Sequence, residues 1–272
     1  MLPKLLTTLL TTVAVVLPCV AQGGDADGDG PEALQLVEAF HARAYDPVAD
    51  GLESLSFDVE LPSAMPGFSM GVLSVHWQKD AELTSRFELS DAMKKMVPEA
   101  EHGALQEQLA ESGGHLARVQ TGQPRMPLGK LDFERAGVED GLIKVACAPR
   151  ADADDPDLRE SMLFYDGQGR LAKRIETVTR SAGEVEITTT FTWAEAKAAE
   201  GKLLLVTQRE TSAVQVTNTE LTHREFGDFL FVATLAETSG TEPLVVTFSN
   251  FVVNGEPLAG EELGTAGTDD EL

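Results

Sequence analysis

Cysteine is almost absent from this chain. Two of 272 residues are cysteine, and Cys19 sits in a leader-like N-terminus, which leaves Cys147 alone. One thiol cannot close an internal disulfide, so an exported chain of this size has to hold together through a hydrophobic core. Cys147 reads as a small buried hydrophobe rather than a nucleophile, because Ile143 and Val145 alternate with it along one strand face. Positive charge is scarce: 21 Lys and Arg against 45 Asp and Glu give a net charge of −24. That balance repels DNA, RNA and anionic membrane surfaces, so no nucleic-acid partner is expected. The basic residues come in pairs, Lys94-Lys95 and Lys173-Arg174, not in a patch that would hold a phosphorylated substrate. Among the five histidines (His41, His76, His102, His115 and His223) no two stand at ligand spacing on one element. That argues against zinc, and no metal or cofactor is expected. Past the N-terminus no apolar run is long enough to cross a bilayer. Asn-x-Ser/Thr sequons are missing, which favours a bacterial envelope. Internal repeats and domain linkers are missing too.

The one long apolar run is residues 1–21, MLPKLLTTLLTTVAVVLPCVA. Lys4 precedes it, and Cys19 and Ala21 are the small residues of a cleavage site. A secretory signal peptide cleaved after Ala21 is therefore expected, and with it a secreted or periplasmic location. Lipidation of Cys19 is the alternative, disfavoured by Pro18 directly before it. Residues 22–30 read as a flexible acidic leader. Its DADGDG (residues 25–30) matches the opening of a calcium-binding loop. Counting from Asp25, however, position seven is Pro31, position eight is Glu32, and position twelve is Leu36 where a bidentate Glu is required. The stretch is a linker on this reading. Residues 31–255 make one domain, and 256–272 an acidic tail expected to be disordered.

Pro31 to Asp46 reads as a helix with a stripe of Leu34, Val37, Ala42 and Tyr45, and Phe40 nearby. Almost everything after it alternates with period two. Residues 52–61 place Leu55, Phe57 and Val59 on one side; 71–79 place Leu73, Val75 and Trp77; 81–89 place Leu83, Phe87 and Leu89. Further strands are expected at 141–149, 160–166, 171–180, 184–193, 202–210, 213–221, 227–237 and 243–255, eleven in all. Turn signals at 166–169, 181–183 and 239–240 make most connections hairpins, hence an antiparallel sheet. One helical insertion begins at the N-cap Ser90, restarts at Pro98 and is expected to end at Gly113-Gly114, with Ala104, Leu105 and Leu109 as its apolar stripe. Residues 121–129 and 151–157 read as loops.

Two features imitate catalytic motifs. GFSMG (residues 67–71) matches a nucleophile elbow, but a strand follows it where the motif needs a helix, so Ser69 reads as a turn residue. Carboxylates are too many to single out a pair, and most belong to the solvated surface; Glu176 with Lys173 is one ionic pair among them. His76 and Trp77 fall on opposite faces of one strand, so only one of them belongs to the core.

The last strands carry the functional signal. By simple alternation Phe229, Phe231, Ala233 and Leu235 share one face, with Leu230 and Val232 on the other. Likewise Leu244, Val246, Phe248 and Val252 oppose Val245, Phe251 and Val253. A sheet with one wet face should not be apolar on both sides, so helices or a bound apolar ligand must cover the second. The stretches LQLVEAFHARAYDPVADGLESLSFDVEL, LFYDGQGRLAKRIETV, TTTFTWAEAKAAEGKLLLVTQ and VTFSNFVVNG, and the order helix, long meander, helical insertion, meander, resemble the periplasmic outer-membrane lipoprotein carrier and sorting family (LolA-like) over most of residues 31–255. The resemblance implies a mainly β (α+β) fold: a single antiparallel sheet curved into an incomplete barrel, with the N-terminal helix and the helical insertion covering one face. It implies a concave apolar cavity for a lipid or lipoprotein acyl chain, and no catalysis. Candidate lining residues are Trp77, Phe87, Phe191, Trp193, Phe229, Phe231, Phe248 and Phe251. The rival expectations are a ligand-free structural or interaction module of the cell envelope and an exported hydrolase using Ser69 or a carboxylate pair.

Overall fold

The structure, a computed structural model, describes residues 30–63, 68–122, 126–153, 158–180, 183–196, 201–240 and 243–257. The expected signal peptide, the leader up to Asp29 and the tail beyond Pro257 lie outside these residues, as does Gly67 of GFSMG.

Helix α1 (Gly30–Arg43) opens the described chain. Its buried stripe is Ala33, Val37 and Phe40, spaced to share one helical face. Ala42, expected in that stripe, is exposed, and Tyr45 lies past the helix. The helix stops because Ala44 makes a parallel bridge to Leu203 and the Tyr45 N–H donates to the Leu203 carbonyl at 2.9 Å, turning the chain onto the sheet.

β1 (Ser54–Pro62), β2 (Ser69–Gln78) and β3 (Thr84–Leu89) follow. Leu55, Phe57, Val59, Leu73, Val75, Phe87 and Leu89 are buried on one face as the alternation requires. Trp77 takes the core side and His76 the outer side, where its Nδ1 stands 2.7 Å from Ser56 Oγ. After the helices come β4 (Leu131–Glu139), β5 (Leu142–Pro149), β6 (Ser161–Tyr165), β7 (Leu171–Arg180), β8 (Gly183–Glu195), β9 (Leu203–Thr211), β10 (Val216–Phe226), β11 (Phe229–Thr238), β12 (Leu244–Val253) and the short β13 (Glu256–Pro257). β13 takes in two residues of the expected tail. Twelve strands run in the order β3-β2-β1-β12-β11-β10-β9-β8-β7-β6-β5-β4, every neighbour antiparallel, with β13 pairing β12. The end strands β3 and β4 do not pair, so the sheet is an unclosed barrel with helices on one face.

β4 was not among the eleven expected strands. Only Leu131 and Phe133 are buried in it, and its charged second half carries a bulge between Arg135 and Gly137. In β12 the alternation argument also needs correcting. Val246, Phe248, Phe251 and Val253 are all buried together, while Val245 is 44% exposed. β12 pairs Phe248 with Val59 and Ser249 with Asp58, but then Val252 with Ser56. One extra residue is accommodated at Asn250, whose φ is 53°, and the apolar parity flips across it. β12 therefore has one apolar face, not two. β11 is shifted too: Thr222 pairs with Thr234 but His223 with Val232, so parity flips at Ala233 and Leu235 does not share the face of Phe229 and Phe231 as alternation implied. Both faces of β11 are nonetheless apolar before the shift, where Leu230, Phe231 and Val232 are successive and all buried.

The insertion forms α2 (Asp91–Met96), a 3-10 turn at Glu99–Glu101, α3 (His102–Ala110) and α4 (Gly113–Thr121). Ser90 caps α2 as expected, its Oγ accepting the Met93 N–H at 3.1 Å. Gly113 does not end the helical region; it begins α4. A Cβ there would lie 2.5 Å from Ser85 Cβ, so the glycine is required by the close approach of helix to sheet.

Two apolar clusters fill the helix-covered face. One joins β1–β3, β11 and β12 to Met93, Leu109, Leu116 and Ala117 of the insertion; the other joins α1 to β4–β6 and Leu203. Trp193 packs against both, so the two halves meet on β8.

Candidate functional site

All eight aromatic residues expected to line a cavity fall in the first cluster. Phe87, Phe231, Phe248 and Phe251 are buried within it, and Trp77, Phe191, Trp193 and Phe229 are half-buried against it. The rings touch in series. Phe231 stacks on Phe251 at 5.5 Å between centroids, Phe229 on Phe231 at 5.9 Å, and Phe57 meets Phe248 at 5.6 Å. Phe226, missed in the sequence because alternation places the end of β10 among polar residues, lies 4.4 Å from Phe251. On the other half Phe191 faces Trp193 at 6.1 Å, and Trp193 meets Phe40 of α1 at 5.1 Å while its indole N–H donates to the Leu171 carbonyl.

The sheet parts at the edge of this cluster. β11 pairs β12 only from Thr234 to Glu237. Beyond that the groups on this edge of β11 are met by side chains. The Leu230 N–H donates to Tyr45 Oη at 2.9 Å. The Val232 N–H donates to Gln120 Oε1 at 2.9 Å, and the Val232 carbonyl accepts from Gln120 Nε2 at 2.8 Å. Gln120 is 3% exposed. Burial pushes the Tyr45 hydroxyl up from its ordinary pKa, against the lowering effect of the Leu230 N–H.

The same sheet face turns polar in its middle. Arg174, Thr189, Glu210 and Thr217 lie opposite one another across β7 to β10, in register with buried Leu163. Arg174 pairs with Glu176 at 3.2 Å, where the sequence suggested Lys173. Gln208 donates to Glu210 at 3.0 Å, and burial, with the Glu210 charge, raises the Glu237 pKa. These inward polar residues sit on strands read as amphipathic, and nothing in their alternation says which face is which.

Hydrolytic chemistry finds little support here. Ser69 is the first residue of β2, its carbonyl accepting from Ser90 Oγ at 2.7 Å, and a strand follows it. The Ser56–His76 contact lies on the outer face, beside a hollow of about 410 Å³. The acid that would have to orient that imidazole, Asp58, instead accepts from Ser74 Oγ at 2.6 Å and Asn250 Nδ2 at 2.9 Å. Cys147 is buried, and burial pushes its thiol up to about 11, which keeps it protonated. Among the described residues no group of three or more His, Cys, Asp or Glu could hold a metal ion, and no helix is long and apolar enough to cross a membrane. A second hollow, about 530 Å³, opens between α1 and β4 beside Leu34 and Phe133. None of the eight aromatic candidates lines either hollow.

No family model and no curated protein matches the chain. A crystal structure of a domain described as that of an outer-membrane lipoprotein-sorting protein from Vibrio parahaemolyticus is similar over 83% of this chain and 94% of its own, at 11% identity and a TM-score of 0.32. A likeness that weak carries no argument about function.

Proposed function

We propose that this is an exported, non-enzymatic, carrier-like protein that holds an acyl chain of a lipid or lipoprotein between the sheet and its helices. The observation behind the reading is the aromatic face: eight aromatic side chains gathered in one cluster under the helices, four of them only half-buried. The sequence resemblance to the lipoprotein carrier and sorting family points the same way. Burial of an acyl chain against such a face is worth about 25 cal/mol per Å², or about 0.8 kcal/mol per methylene. Displacing helices that already cover part of it consumes some of that gain.

The packing favours one rival. Phe251 already contacts both Phe231 and Phe57, which also suits a ligand-free module of the cell envelope. Mass spectrometry of an organic extract of protein purified without detergent separates the two. The carrier reading expects a stoichiometric lipid, and delipidated protein that takes up one apolar fluorescent probe, released by a fatty acid. Protein with neither lipid nor probe binding is the module.

A further inference from the structure

The seam between β11 and β12 has the chemistry of a missing strand. Leu230 and Val232 are two residues apart, so their N–H groups leave the same edge of β11. In an uninterrupted sheet those groups would pair with a neighbouring backbone. Here they pair with Tyr45 Oη and with the Gln120 side chain, brought from elements far apart in sequence. The Gln120 contact is specific: a carboxamide presents one acceptor and a donor, and it uses both on one residue, Val232, as a peptide unit of an adjoining strand does. Phe229 and Phe231 flank the positions, with Phe251 stacked on Phe231.

We infer that this seam is a binding slot for an extended peptide, which adds to β11 by pairing its backbone with Leu230 and Val232 in place of Tyr45 and Gln120. The occupant is the polypeptide stretch next to the acyl group of an acylated protein; its apolar side chains and acyl chain meet the phenylalanine rings. That identification of the occupant rests on the carrier reading, whereas the slot itself rests on the hydrogen bonds. A lipid ester cannot substitute, because it accepts hydrogen bonds but donates none, and the Val232 carbonyl needs a donor. A segment with neutral or basic side chains suits a chain of net charge −24. Strand addition of this kind draws affinity from main-chain hydrogen bonds and specificity from alternate side-chain pockets. Gln120 is the penultimate residue of α4, with Gly122 at φ 108° just beyond, so withdrawal of the last helical turn opens the edge.

The test uses four probes on the delipidated protein: palmitate, an N-palmitoyl hexapeptide amide of alternating valine and serine, the same acyl peptide N-methylated at alternate residues, and the unacylated peptide. The acyl peptide should bind about tenfold tighter than palmitate, because its backbone takes over the Leu230 and Val232 bonds while Tyr45 and Gln120 regain water, and N-methylation should remove the gain. Gln120→Ala, which removes the competing carboxamide, should raise the ratio of acyl-peptide to palmitate affinity about tenfold. If that variant does not fold, the N-methyl comparison on the unaltered protein decides alone. Palmitate binding with no advantage for the unmethylated peptide overturns the slot and keeps the carrier. Binding of the unacylated peptide without palmitate binding keeps the slot and overturns the carrier. Binding of no probe overturns both.

Discussion

Gln120 stands to Val232 as a neighbouring strand would. Its side-chain oxygen accepts the Val232 N–H at 2.9 Å and its nitrogen donates to the Val232 carbonyl at 2.8 Å, with the amide almost wholly buried. Replacing it by Leu keeps the volume and orphans two backbone groups. Each orphaned buried group costs about 1–3 kcal/mol. Gln120→Leu should therefore lose about 2–4 kcal/mol in urea denaturation, with faster hydrogen exchange at the Val232 amide. An unchanged midpoint would mean that water replaces the carboxamide without loss.

The two adjacent glycines of the insertion should respond in opposite directions. Gly113→Ala drives a methyl into Ser85, whose Cβ would be 2.5 Å away and cannot rotate aside. Overpacking of this sort costs about 1–3 kcal/mol, more than the roughly 1 kcal/mol gained in helix propensity. Gly114→Ala meets nothing within 4 Å and should raise the melting temperature. Equal shifts in both variants would contradict the close approach of α4 to β3.

Cys147 should be slow to react. With its thiol pushed up to about 11 by burial, about one molecule in a thousand carries thiolate at pH 8. A thiol reagent should label it slowly in buffer and quickly in denaturant. The same shift bears on alkaline stability. The unfolded thiol ionises near its ordinary value while the folded one holds its proton, so unfolding releases a proton between pH ~9 and ~11. Stability should fall by about 2 kcal/mol across that window, and less in Cys147→Ala.

Phe231→Asp and Leu230→Asp should both unfold the protein. Simple alternation gives these neighbours opposite faces, one of them open to a cavity, yet both are buried. An unpaired buried carboxylate costs several kcal/mol. Half-buried Phe229 and Phe191 are the positions where Asp should leave a folded chain that no longer takes up an apolar probe. Circular dichroism with a probe titration reads both outcomes; a folded Phe231→Asp protein would place that ring at a surface.

What the sequence disclosed depended on the regularity of each strand. β1, β2 and β3 keep strict alternation, and their buried residues were legible one by one. β12 was misread because the one-residue insertion at Asn250 reverses parity; the clue was the adjacent polar pair Ser249-Asn250 inside an apolar run. β4 was missed because an edge strand with Asp132, Glu134 and Arg135 in it has little apolar signal to give. Gly113 looked like a helix end because its role depends on Ser85, a residue on another element. The eight aromatic residues were singled out by type alone; they lie in or against one apolar cluster, and none of them lines either hollow. Gln120 and Tyr45 carry no sequence signature, since their partners are backbone groups more than a hundred residues away.

The adjacency of β1 and β12 sets the order in which this chain can acquire its shape. Ser54 donates its N–H to Asn254 Oδ1 across 200 residues of sequence. A ribosome or export channel that delivers the N-terminus first therefore releases β1 long before its partner exists. Until β12 emerges, Phe57 and Val59 lack the ring of Phe248 beside them, and one edge of the β1–β3 hairpins is bare. Contacts so distant form slowly, and a bare apolar edge invites pairing with other chains in the interval. A growing chain of this protein thus carries an unsatisfied apolar edge until β12 is delivered.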